Sequence, residues 1–141
     1  MLRSLLLALD NHAGGQMRDA NRRVCLVNVL AARAGMIGIV TGNDKPSVAA
    51  PGSRGPVLGS NPIAYAIPVG EGDPILLDIA TAAVAGGKVY AAHQRGEPIP
   101  PTWLIDAEGR PTTDGALYPD HASLAPMAGH KGYGFGLLCE I

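Results

Sequence analysis

Glycine and proline impose the first constraint on how this chain can fold. Nineteen glycines and 12 prolines stand among its 141 residues. Glycine opens left-handed backbone, and proline fixes φ and removes a donor. A chain punctuated this often folds as short elements joined by specified turns. The proportion stays below that of low-complexity sequence, roughly 25–30%. Apolar residues make up 47% and charged residues 16%, which excludes a charge-driven disordered chain. Aromatics are only 4%, so the core is expected to consist of Ala, Val, Ile and Leu. The length suits one domain or part of one.

Eleven basic residues against 12 acidic ones give a net charge of -1. That balance leaves no electrostatic footprint for a polyanion and argues against nucleic acid as a partner. Cys25 and Cys139 lie far apart, with neither metal-ligand nor disulfide-framework spacing. They read as reduced, buried thiols. The chain opens MLRSLLLALD, where Asp10 interrupts the apolar run and no small-residue cleavage site follows. It reads as a helix fragment. No apolar run approaches the ~20 residues of a membrane span. The expectation is a soluble, cytoplasmic protein with no membrane partner.

Asp19–Ala34 carries a helical apolar stripe at Val24, Val27, Leu30, Ala31 and Ala34, with Asp19 as cap and Gly35 as stop. Met36–Thr41 follows as a short buried strand. This helix–Gly–strand unit implies an α/β fold. Gly42–Ser60, broken by Pro46, Pro51 and Pro56, reads as a long, ordered functional loop. Pro62–Pro68 and Pro74–Ala80 read as two strands joined by a hairpin-like turn. Gly86–Gln94 reads as a short helix and Thr102–Asp106 as a strand, and the stretch Ala107–Gly115 reads as a turn. A glycine-rich turn then leads into an apolar helix starting at Phe135. That helix still runs at Ile141, so the sequence itself predicts a truncated chain.

Gly129-His130-Lys131-Gly132-Tyr133-Gly134 is the strongest local signal. Glycines allow close backbone approach, a helix start offers free N–H groups, and Lys131 adds a cation. The set suits a phosphate or carboxylate, although it matches neither a P-loop nor a Rossmann fingerprint. The alternative is a glycine-rich packing turn where helix and sheet meet closely. Asp78 is a carboxylate within the apolar run PILLDIA. If buried it needs hydrogen-bond partners. It could bind a ligand at a strand end or simply stabilise a turn. His12, beside Gly14 and Gly15, has the chemistry of a general acid or base, with a plain surface histidine as the alternative. Lys45 and Lys88 read as solvated cations in or near loops.

Four blocks then occur in order and with matching spacing: LGSNPIAYAIP, ILLDIATAAVAGGKV, IPPTWLIDAEGRPTTD and LAPMAGHKGYGFGLLCEI. Together they resemble the malate/L-lactate dehydrogenase family, NAD(P)-dependent 2-hydroxyacid oxidoreductases with a non-Rossmann α/β fold. The resemblance covers residues 35–141 as the family core, and 1–34 match it weakly. It implies a partial NAD(P)-binding domain, a mixed sheet with flanking helices, incomplete relative to the family. It implies cofactor contacts at Lys45, at Asp78-Ile79-Ala80 and at Gly129-His130-Lys131-Gly132. It implies substrate contacts at Ser60, which replaces the Thr of the family's G-T-N-P turn, and at Gly86 and Gly87. His12 stands as a match to the family's mid-chain His. Lys88 occupies the place of a catalytic Asp in the imine-reductase branch, and a Lys there resembles the 2-hydroxyacid branch. The family's N-terminal Ser-His pair has no counterpart here. The implied function is hydride transfer between NAD or NADP and a small 2-hydroxy or 2-oxo acid, by a homodimer when full length. A non-catalytic fragment or pseudoenzyme of the same family is the alternative. A separate phosphate-binding enzyme is disfavoured by the missing P-loop spacing.

Overall fold

The computed structural model describes residues 3–9 and 26–141. The chain is of mixed α/β class and divides into two compact units. The first comprises Met1–Asn43 and Pro62–Ile79, the second Asp44–Asn61 and Ala80–Ile141.

The first unit holds a four-stranded sheet in the order β1-β2-β5-β6, formed by β1 (Arg3–Leu9), β2 (Met36–Gly42), β5 (Ile63–Ile67) and β6 (Ile75–Ile79). β1 runs parallel to β2, and β5 is antiparallel to both β2 and β6. The expected hairpin from Pro62 to Ala80 is therefore present, with Ile67 opposite Ile75 at its closed end. The opening segment is a strand, not the helix fragment its composition suggested. A short apolar run has no period that separates strand from helix, and pairing with β2 decides the matter. A helix α1 covers 26–33 and ends at Gly35, whose φ of +73° marks the expected stop. A side chain at Gly38 would press on the Asn28 backbone of α1, 2.9 Å away, so glycine is what lets helix and sheet approach. Val27 of α1 packs on Val40 and Ala64. Asn28 is also buried, and its amide has no hydrogen-bond partner among the described residues.

The second unit is built on a five-stranded sheet in the order β4-β3-β9-β7-β8. Its strands are short: β3 (Val48–Ala49), β4 (Pro56–Leu58), β7 (Leu104–Asp106), β8 (Pro111–Thr112) and β9 (Ala122–Leu124). β3 and β4 lie inside the stretch expected to be an irregular loop, and β8 lies inside the expected turn. α2 spans Gly86–Gln94 as the sequence predicted. Val89 and Ala92 from α2 join Val48, Ala82, Val84, Ile99, Leu104, Ala122 and Leu124 in one aliphatic core.

α3 spans His130–Leu138, with Gly129 as its N-cap and Cys139 as its C-cap. It starts five residues earlier than the sequence predicted and runs through Gly132, Gly134 and Gly136. Packing overrides helix propensity here. Gly132 and Gly136 are buried on one face of α3, four residues apart. A side chain on Gly132 would overlap the Met127 carbonyl, and one on Gly136 would crowd Thr81 and Leu58.

Candidate cofactor and substrate site

Ten of the expected site residues fall in the second unit: Lys45, Ser60, Ala80, Gly86, Gly87, Lys88, Gly129, His130, Lys131 and Gly132. Asp78 and Ile79 close the first unit, and His12 lies outside the described residues. Asp78 is exposed, which corrects the expectation of burial. Apolar neighbours in sequence predicted burial, but β6 is the outer strand of its sheet among the described residues.

The start of α3 is shaped by its lead-in. Ala128 and Gly129 both have positive φ, +49° and +64°. Only glycine takes that region freely, so an alanine there marks a backbone held by its surroundings. The Gly132 N–H donates to the Met127 carbonyl at 2.9 Å, and Tyr133 N–H donates to Gly129 O at 3.2 Å. The N–H groups of His130 and Lys131 stand ahead of these, where helix geometry offers no intrahelical acceptor. Both side chains are exposed. Of the two sequence readings of this glycine cluster, close packing is met at Gly132. Gly132 serves close packing, while Gly129 and Lys131 form an open, positively biased helix start.

The same lead-in borders an open cleft of about 550 Å³. Ala50–Ser53, Pro101, Thr102, Ile105 and Pro126–Gly129 contribute to its walls, and no charged side chain does. An open apolar cleft beside a helix start with a lysine has the chemistry that would fit a dinucleotide: rings against apolar walls, phosphates at N–H groups and a cation.

Ser60 sits half-buried in the turn Gly59-Ser60-Asn61-Pro62. Gly59 has no room for a side chain against Asp44 and Asn61. Thr81 fixes the turn from the other side: its N–H donates to Ser60 O at 2.9 Å, and its hydroxyl lies 3.0 Å from Asn61 O. The Thr81 carbonyl in turn accepts Met127 N–H at 2.9 Å. Thr81 therefore links the substrate-type turn to the α3 lead-in.

Gly86 opens α2 beneath Tyr118. A side chain at Gly86 would lie 2.7 Å from the Tyr118 hydroxyl. Burial, then Tyr90 and Asp44, push the Tyr118 phenol above its ordinary pKa, so it remains a hydrogen-bond donor at neutral pH. Its ring lies 5.3 Å from that of Tyr90, centroid to centroid, tilted by 58°. Gly87 and Lys88 are exposed on the first turn of α2, and Lys45 is exposed beside Asp44. Sequence reasoning missed Tyr118, Asn61 and Thr81. Asn61 and Thr81 carried a signal, because each adjoins a motif residue already singled out.

A family profile described as malate/L-lactate dehydrogenase matches residues 23–141. The chain belongs to the malate/L-lactate dehydrogenase family. It is 44% identical over 115 residues to an L-sulfolactate dehydrogenase of Methanothermobacter thermautotrophicus, covering 79% of this chain and 32% of that protein. It is 46% identical over 112 residues to an NAD(+) ureidoglycolate dehydrogenase of Escherichia coli O157:H7, covering 79% and 31%. A solved dehydrogenase from Sinorhizobium meliloti superposes with a TM-score of 0.73 at 39% identity, covering 83% of this chain and 34% of that one. The chain thus spans about a third of the length of the curated relatives it matches. Among the described residues, no helix is long and apolar enough to cross a membrane.

Proposed function

We propose that this chain is the cofactor- and substrate-holding part of an NAD(P)-dependent 2-hydroxyacid dehydrogenase. The observation that carries this reading is the start of α3. An exposed Lys131, two N–H groups of a first helical turn and a backbone at positive φ stand beside an apolar cleft, in the stretch where the family resemblance puts a cofactor contact. Lys131 and the N–H groups of His130 and Lys131 would hold phosphate oxygens through charge-assisted hydrogen bonds. The bound nicotinamide would supply the hydride acceptor. Ser60, with its turn pinned by Thr81, offers a hydroxyl to a substrate oxygen. Lys88, on the first turn of α2, is the second catalytic candidate beside His12, and Gly86 and Gly87 approach the substrate with backbone. Oxidising the 2-hydroxyl group also requires a proton acceptor near neutral pH, a role suited to histidine and assigned here to His12. The reading extends to the cytoplasm as location and to a homodimer as the assembled enzyme.

Fluorescence titration of the purified chain with NADH and NADPH tests the proposal and chooses between the two. Lys131→Ala is expected to weaken binding by ~1–3 kcal/mol, the size of a charge-assisted hydrogen bond. Equal affinity in the variant and the parent would remove the anion site from the proposal.

A further inference from the structure

α3 is held to its unit in an unusual way. Its large apolar side chains, Phe135, Leu137 and Leu138, are all about half exposed. None of them joins the aliphatic core of the second unit. Apolar burial therefore supplies little of the docking. Two close glycine contacts and one buried amide supply it instead.

That amide belongs to Asn61, whose side chain is fully buried. Its backbone φ of +30° is a region that asparagine tolerates better than most residues. Oδ1 accepts the Asp44 N–H at 3.1 Å. Nδ2 donates to the Gly136 carbonyl at 2.8 Å and to Glu140 Oε1 at 2.8 Å. Both amide protons are thus used, one on the last turn of α3 and one on Glu140, just beyond its C-cap. The residue just before Asn61 is Ser60.

We infer that Asn61 is a positioning residue, which fixes the Ser60 hydroxyl and the Gly129–Gly132 helix start at one spacing. It touches neither cofactor nor substrate. This rests on the proposed reading of those two contacts as substrate and cofactor contacts. Asn61 could be replaced by no residue of similar size without losing a donor or an acceptor. Aspartate keeps the acceptor toward Asp44 N–H but turns two donors into acceptors, facing a carbonyl and a carboxylate.

The test uses the whole chain in three forms: Asn61→Asp, Glu140→Ala, and Asn61→Asp combined with Glu140→Gln, which returns one donor to the pair. Two readouts are taken at pH 7, amide hydrogen exchange along the chain and NADH and NADPH affinity. Asn61→Asp is expected to speed exchange in α3 relative to β7 and β9 and to weaken nucleotide binding, each on the order of 10-fold, the scale of one hydrogen bond to a charged group. The double variant is expected to recover part of both losses, since only the contact at position 140 is restored. Unchanged α3 exchange in Asn61→Asp, or a double variant no better than the single, overturns the inference. So does faster α3 exchange at unaltered nucleotide affinity, which would make Asn61 a fold residue only. If Asn61→Asp does not fold, Glu140→Ala decides on the same readouts, because Glu140 is exposed and its loss removes one of the two acceptors. If the parent chain binds neither nucleotide, the functional reading fails by itself, while the exchange comparison still decides whether Asn61 anchors α3.

Discussion

Asp106 closes the turn from β7 into β8 by gathering donors onto one carboxylate. Oδ1 accepts the backbone N–H of Arg110 at 2.8 Å and of Glu108 at 2.9 Å. The Arg110 N–H is the larger influence, and together these hold the carboxyl below its ordinary pKa. A carboxyl depressed in the fold stabilises fully above its unfolded value, about 3.9. That contribution fades as pH falls through the lower folded value. Thermal unfolding followed from neutral pH down to strong acid is therefore expected to show a larger acid loss in the parent than in Asp106→Asn. Identical acid limbs would refute the assignment. At this scale the sequence was a mixed guide. The exposed place of Lys131 near a helix start was legible, because it depends on local backbone. Asn61 and Thr81 were signalled only as neighbours of motif residues, because their partners lie 17 to 79 residues away, and Tyr118 was hidden because it meets Gly86 of another element.

At the scale of elements, α3 separates two uses of glycine. Gly134 faces open space within the helix, while Gly132 is pressed against Met127. Gly134→Ala is expected to stabilise the chain by roughly 0.5–1 kcal/mol, since only the backbone entropy of the unfolded state changes. Gly132→Ala is expected to destabilise it, because the lead-in from Met127 must shift. Thermal melts of the two variants should move in opposite directions, and a shared direction would contradict the packing described. The β5–β6 hairpin and α2 were legible, since prolines bracket the strands and the helix ends just before Gly96, at positive φ. The start of α3 was not, because three glycines in seven residues carry the same signal as a loop. β3, β4 and β8 were hidden for another reason. Two- and three-residue strands have no period of their own and exist through their partners, as when Val48 pairs with Leu124.

For the whole molecule, the two units differ in the apolar clusters that their described residues form. The second unit has a core of nine buried aliphatic residues. In the first, among the residues whose side chains are described, buried Val40 and Ala64 form a small cluster with Val27 packed on it. Opening free energy follows local burial, so the slowest-exchanging amides are expected in β7 and β9 of the second unit. Exchange in β5 and β6 is expected to be faster. Slower exchange in the hairpin than in β9 would mean that apolar burial does not set the order.

The outer position of β6 also bears on how Asp78 can be studied. Ile75 and Leu76 are more than half exposed, and Asp78 is the sole charge in the strand Ile75–Ile79. An apolar strand at a sheet margin is a template for self-association, and a carboxylate within it acts as a gatekeeper. Asp78→Ala, the obvious probe of cofactor binding, would also remove that guard. It is expected to raise light scattering with protein concentration, where Asp120→Ala on the surface would not. Asp78→Lys keeps a charge on the margin while reversing its sign. Lost nucleotide affinity in that variant, with scattering as low as the parent's, would report on the ligand rather than on clumping.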